Sequence, residues 1–221
     1  MTALHHPTGT DRPAVHPSDT AEHPIHRSDV LVVLDAHGVV FNRAFPMFVH
    51  DRALARGDDP VAVWDRWRGE CRLDLWEGRI APDTMWAHLF PGDDPSVLTA
   101  GLRDTYDRGP LYDDVVSSRN RMWLLSNHCS EWLMPQLRRF GLVDRFERVL
   151  VSDQLGMAKP SSALFELVRE EAGGPVVLYD DSEANVAAAR RAGLDAHHVT
   201  DEPPGNGALP PRGPDRGSHD R

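Results

Sequence analysis

Four short runs of consecutive apolar residues punctuate the middle of the chain: Val30–Ala36, Met122–Ser126, Val149–Ser152 and Val176–Asp180. A weaker fifth lies at His197–Thr200. Continuous apolar runs predict strands of a parallel sheet covered on both faces, not strands with one face in water. Between the runs, apolar residues recur at helical spacing. Ser130–Phe140 carries Leu133, Leu137 and Phe140, and Ser161–Glu171 carries Leu164, Leu167 and Val168. Glu183–Arg191 is followed by Gly193, a helix stop. Alternating strands and helices predict right-handed βαβ units and a doubly wound parallel α/β sheet.

Residues 43–110 break the alternation. They hold no clear strand but several amphipathic stretches and four tryptophans, Trp64, Trp67, Trp76 and Trp86. This pattern predicts a helical lobe inserted after the first strand, with the tryptophans read as core and not as a stacking platform. The α/β core is then 30–42 plus 111–201. Residues 1–29 hold five of the twelve histidines and four prolines, and 202–221 hold five more prolines. Neither tail carries enough apolar surface to offset its ordering entropy, so both are expected to be disordered.

Composition narrows the function. The net charge of −10 argues against non-specific binding to nucleic acid or anionic membranes. Two cysteines, Cys71 and Cys129, are too few for a disulfide scaffold. No apolar run approaches the ~20 residues of a membrane span, and the N-terminus lacks a secretory signal pattern. The expected location is cytoplasmic. Nothing in the sequence sets the oligomeric state.

In doubly wound sheets ligands bind beyond the carboxyl ends of the strands. Polar clusters lie at those ends here: Asp35-Ala36-His37-Gly38 after the first run, Ser126-Asn127 after the second, and Asp180-Asp181-Ser182 with Asn185 after the fourth. Lys159, read as opening a helix, joins them, and it is the one lysine among 24 basic residues. An ammonium is a compact point charge where arginine is a planar fork, so a crowded anionic site accepts only the lysine. Three carboxylates at one sheet edge repel each other and call for a cation, and hard oxygen ligands suit Mg²⁺. With the Ser126 hydroxyl and the Asn127 backbone amide available to anionic oxygens, the set describes a phosphoryl site with a carboxylate nucleophile.

In this order the residues resemble the motifs of the haloacid dehalogenase superfamily, over roughly residues 30–200, and the resemblance implies its Rossmann-like fold. It also implies that Asp35 is the nucleophile that becomes a phospho-aspartate. Ser126 would bind the phosphoryl oxygens, and Lys159 would be the lysine of the third motif. Asp35, the His37 carbonyl, Asp180 and Asp181 would hold Mg²⁺. A helical insert straight after the first motif resembles the cap that selects substrates in part of that superfamily. The implied activity is a Mg²⁺-dependent phosphatase acting on a small phosphorylated metabolite.

One position departs from the pattern. His37 stands where the family phosphatases carry a second aspartate, which protonates the leaving oxygen. Either His37 takes over as acid/base, or the scaffold serves another reaction, or the protein is a degenerate member that binds a phosphorylated ligand. Dehalogenation ranks below these, because dehalogenases of the superfamily work without metal and have no need of Asp180-Asp181. Phosphonate cleavage needs a lysine in the insert, and residues 43–110 contain none. His128 and Cys129 have no orienting third group and are not read as a nucleophilic pair. Arg43, Arg68, Arg72 and Arg79 are read mainly as surface.

Overall fold

The computed structural model describes residues 30–200; the two tails expected to be disordered, 1–29 and 202–221, lie outside the described residues. Five strands form one parallel sheet: β1 (Leu31–Leu34), β2 (Arg121–Ser126), β3 (Arg148–Val151), β4 (Val176–Asp180) and β5 (Asp195–His198), in the order β3-β2-β1-β4-β5. The doubly wound α/β reading holds. Alternate residues of each strand feed opposite faces, as the two-residue period of a strand requires. Val32, Leu34, Met122 and Leu124 enter one apolar cluster, and Leu31, Val33, Trp123 and Leu125 enter the other. Both faces are buried, which is why these strands read as unbroken apolar runs. Each fully buried valine or leucine there contributes about 1.5–3 kcal/mol.

The strand ends differ from expectation by local chemistry. β1 stops at Leu34, because the Ala36 carbonyl accepts from the Val40 and Phe41 amides and turns the chain. Ser152 leaves β3 to begin the short helix α8 (Ser152–Leu155). The last strand lies at Asp195–His198 and not at 197–200; the Arg190 guanidinium holds the Ala196 carbonyl in the middle of it.

Between β1 and β2 the chain is helical, as expected, with α1 (Ala44–Arg56), α2 (Pro60–Arg66), α3 (Arg72–Trp76), α4 (Pro82–Leu89), α5 (Pro95–Thr105) and α6 (Tyr112–Ser117). A π-helical turn, Trp67–Cys71, joins α2 to α3. The starts are written in the sequence. Asp59 and Asp94 cap the amides of Val61 and Ser96, each just before a proline at the first helical position. Trp67 and Trp86 are fully buried, and Trp64 and Trp76 pack against the same cluster. The remaining helices are α7 (Ser130–Arg139), α9 (Ser162–Ala172) and α10 (Glu183–Arg191). Phe45 of α1 stacks on Trp132 of α7 at a ring separation of 5.8 Å, and Trp86 of α4 packs on it at a tilt, at 5.3 Å. The helical segment thus shares one apolar cluster with the first face of the sheet. Among the described residues no helix is long and apolar enough to cross a membrane.

Candidate functional site

Strand order determines where a ligand fits. The chain runs outward from β1 through β2 to β3, then returns past β1 to lay down β4 and β5. Connections diverge on either side of the β1–β4 pair, and the crevice beyond their carboxyl ends is the binding position of such sheets. Asp35 follows β1, its amide still bonded to the Tyr179 carbonyl of β4 at 2.9 Å. Asp180 ends β4 and Asp181 follows it. Asp35, Asp180 and Asp181 offer ligand atoms that all lie within 4.8 Å of one another.

Lys159 sits in a turn and not at a helix start, since α9 begins only at Ser162. Its buried Nζ reaches Asp35 Oδ1 at 3.0 Å and Asp180 Oδ2 at 2.6 Å, and donates to the Leu125 carbonyl at 2.9 Å. Three protons meet three acceptors, so a compact ammonium suits the place and a planar guanidinium does not. Burial acts to lower the Lys159 ionisation, but Asp180 and Asp35 more than offset it and hold the amine above its ordinary range. Asn127 fixes the lysine backbone: its side-chain oxygen accepts from the Lys159 amide at 2.7 Å and its nitrogen donates to the Lys159 carbonyl at 2.8 Å. The sequence reading credited Asn127 only with a backbone amide for an anion; its side chain is committed to the lysine. Ser126 is buried at the end of β2, beside Asn127.

Asp180 is fully engaged. Beyond Lys159, its Oδ1 accepts from Asn185 Nδ2 and from the Ser182 amide, both at 2.9 Å. It therefore stands one layer behind Asp35 and Asp181. Burial, with Asp180 and Asp181 nearby, raises the Asp35 carboxyl despite Lys159. Burial and Asp180 likewise raise Asp181, although Arg43 and Lys159 act to lower it. Two acidic groups held above their ordinary range, even with Lys159 on Asp35 and Arg43 on Asp181, are short of positive charge. Their oxygen donors could hold a hard divalent cation.

The loop after Asp35 lies close on this set. Gly38 adopts φ +73°, and a Cβ there would run into the Asp181 carboxylate. Arg43, the residue before α1, donates from Nε to Asp181 Oδ2 at 2.9 Å.

His37 faces a different environment. Its Nε2 lies 3.3 Å from His128 Nε2, which also meets the Tyr106 hydroxyl at 2.6 Å. His128 Nδ1 lies 2.9 Å from the Cys129 carbonyl, so that nitrogen carries the proton and Nε2 accepts. Burial first, with His128 and then the Lys159 ammonium opposing a second proton nearby, lowers the His37 imidazole well below its usual range. Burial brings His128 down to about 4. Desolvation dominates, and the ring is neutral. The His128–Tyr106 pair was not anticipated. Only the fold joins them, because Tyr106 closes the helical segment and His128 follows β2. Cys129 is buried, and burial raises its thiol far above the reactive range, in keeping with the reading that it is not a nucleophile.

No family model matches the chain. Among curated proteins, it is 28% identical over 95 residues to the pyrimidine 5′-nucleotidase of Escherichia coli, a match spanning 38% of this chain and 42% of that protein. It is 36% identical over 66 residues to the ribulose-1,5-bisphosphate 5-phosphatase of Halopiger xanaduensis, spanning 28% of each. The matched region thus covers less than half the length of these relatives. Among solved structures, a haloacid dehalogenase family enzyme of Bacteroides thetaiotaomicron, in complex with magnesium and inorganic phosphate, superposes with a TM-score of 0.62 at 20% identity, covering 78% of this chain and 94% of that one. L-2-haloacid dehalogenase of Xanthobacter autotrophicus, with chloropropionic acid covalently bound, gives 0.57 at 20%, covering 76% of both chains. The chain shares the fold of these enzymes.

Proposed function

We propose that the protein is a Mg²⁺-dependent phosphohydrolase acting on a small organic phosphomonoester through an aspartyl-phosphate at Asp35. The observation that carries this reading is the charge pattern at the sheet edge. Lys159 is saturated by Asp35, Asp180 and the Leu125 carbonyl and Arg43 pairs with Asp181, so three clustered carboxylates face only these two cations among the described contacts. Asp35 Oδ1 is held by the Ala36 amide at 2.7 Å and by Lys159, so Oδ2 is the atom presented for attack.

In this mechanism Oδ2 forms a bond to phosphorus as the bond to the ester oxygen breaks, and that oxygen leaves as the alcohol with a proton from solvent water. Water then attacks the same phosphorus, the bond to Asp35 breaks, and inorganic phosphate leaves. Ser126 and the Asn127 amide bind the equatorial oxygens, and Lys159 offsets their charge. Bound Mg²⁺ supplies Lewis-acid stabilisation of the phosphoryl oxygens. The helical segment, residues 43–110, acts as a cap that shapes access to the crevice. The activities named for the two curated relatives, both phosphatases, support this reading over dehalogenation, as does the second acid, Asp181.

One observation favours a second reading. His37 is neutral and bonded toward His128, a poor arrangement for protonating a leaving oxygen. Under that reading the site binds a phosphorylated ligand without cleaving it. Phosphate release by the purified protein from a panel of phosphorylated metabolites, with Mg²⁺ and with a chelator, separates the two. Mg²⁺-dependent turnover is expected. Saturable binding with no turnover supports the second reading, and metal-independent release of halide from a 2-haloacid would overturn both.

A further inference from the structure

We propose that the substrate carries a second anionic group, bound by Arg43 and Arg108 in a cleft beside the carboxylates. This deepens the phosphohydrolase reading and rests on it for the identity of the reacting group. The cleft has a volume of about 610 Å³ and is lined by Gly38, Asn42, Arg43, Met47, Arg108 and neighbouring backbone. No carboxylate lines it, although the chain as a whole carries a net charge of −10.

The backbone explains why two arginines meet here. The chain leaves the sheet at 41–43 and returns at 105–109, and the two crossings run side by side. Phe41 pairs with Arg108 in an antiparallel bridge, and the Gly109 amide donates to the Val40 carbonyl at 2.9 Å. Asn42 stitches the crossings twice more: Oδ1 accepts from the Asp107 amide at 3.0 Å, and Nδ2 donates to the Thr105 carbonyl at 2.9 Å. A Cβ at Gly109 would strike the carbonyls of Val39 and Phe41, so the close approach depends on that glycine. The pairing sets Arg43 and Arg108 on one rim.

Arg43 links the rim to the reacting centre through its 2.9 Å bond to Asp181. Arg108 lies over the Tyr112 ring at 4.7 Å and reaches Asp113 only at 3.6 Å, where both side chains are largely exposed. That ion pair is worth little in water. The guanidinium is therefore shelved on an aromatic face with its donors available to an anion, the forked geometry that carboxylates and phosphates match. A phosphomonoester seated at Asp35 would extend its tail past Gly38 into this cleft.

The test compares three matched esters: n-propyl phosphate with a neutral tail, 3-phosphooxypropionate with a carboxylate tail, and propane-1,3-diyl bisphosphate. Equilibrium binding to Asp35→Asn protein in Mg²⁺ avoids turnover. At least one charged-tail ester is expected to bind about tenfold tighter than the neutral one, and Arg108→Gln is expected to erase the difference. The two charged tails distinguish carboxylate from phosphate recognition. Equal affinity for all three, or a preference that survives Arg108→Gln in a variant of unchanged thermal midpoint, overturns the proposal. Turnover of these esters and of p-nitrophenyl phosphate by the unmutated protein is scored separately. Its absence overturns the phosphohydrolase reading, while the order of affinities still decides the anion subsite.

Discussion

Asp35 and His37 stand two residues apart on one turn, yet the fold surrounds them with opposite solutions to burial. On the Asp35 side, charge is kept and paired: a buried ammonium binds two carboxylates, Asn185 and the Ser182 amide hold Asp180, and Asn127 holds the lysine backbone. On the His37 side, charge is removed. His37 and His128 are both depressed in pKa by burial, and with Tyr106 they form a neutral hydrogen-bonded set against the helical segment. The paired arrangement creates a strong local field at the sheet edge. The neutral one ties the turn to the rest of the fold. If the comparison is right, perturbing the first region changes chemistry and perturbing the second changes stability.

The largest effect is expected at Asp35. Asp35→Asn is nearly isosteric and removes the nucleophilic oxygen charge, so turnover should fall by at least ~10³-fold while the fold persists. Phosphate release within a few-fold of the unmutated rate would show that attack does not come from Asp35.

Lys159 tests the pairing itself. Lys159→Met strands Asp35 and Asp180 in a buried site, and breaking such a pair costs about 3–5 kcal/mol. Lys159→Arg keeps the charge but cannot meet three acceptors at 2.6–3.0 Å with one compact group; activity should still be lost, with a smaller loss of stability. Chemical denaturation of both variants measures this. Equal stability of the arginine variant and the parent would mean that the site tolerates the fork.

These two regions also differ in how far the sequence reveals them. Asp35, Lys159, Asp180 and Asp181 were legible because each falls at the end of an apolar run or in the turn beyond, and a doubly wound sheet brings strand ends together. The lone lysine marked itself by composition. The helical segment was legible as helical, and its starts were written in Asp59-Pro60 and Asp94-Pro95. The His37–His128–Tyr106 set was not legible, since it depends on where the helical segment rejoins the sheet and no local period encodes that. The same holds for Arg43 against Asp181, 138 residues apart in the chain. Asn127 was assigned to the right place for the wrong group, because a motif position does not say whether side chain or backbone is used.

His128 gives a pH-dependent prediction. Its folded pKa is about 4, against an ordinary imidazole value near 6.5. Between those values the unfolded chain binds the proton and the folded chain does not, so stability rises with pH across that window. The contribution is complete above about pH 6.5 and disappears as pH falls toward 4. It is on the order of 3 kcal/mol at most. His128→Gln removes the titration. The stability advantage of the parent over the variant should therefore shrink from pH 7 to pH 4. Parallel stability curves would mean that His128 is solvated or already charged in the folded protein.

The smallest effect is expected at His37, and it is the sharpest test of the contrast. General acid–base assistance is typically worth ~10²–10⁴-fold, and it is largest for a poor leaving group that must be protonated. A ring held neutral by burial and bonded toward His128 has no proton to give near neutral pH. His37→Ala should therefore lower turnover of both an alkyl and an aryl phosphate by less than about tenfold, and by similar factors. His37→Asp should raise turnover of the alkyl ester, because a carboxyl near the reacting oxygen can carry the proton that the imidazole lacks. Comparing kcat for the two esters across the parent and both variants decides the matter. A loss of 10²-fold or more in His37→Ala, confined to the alkyl ester, would mean that His37 swings away from His128 to act as the acid. The two sides of the turn would then share one chemistry.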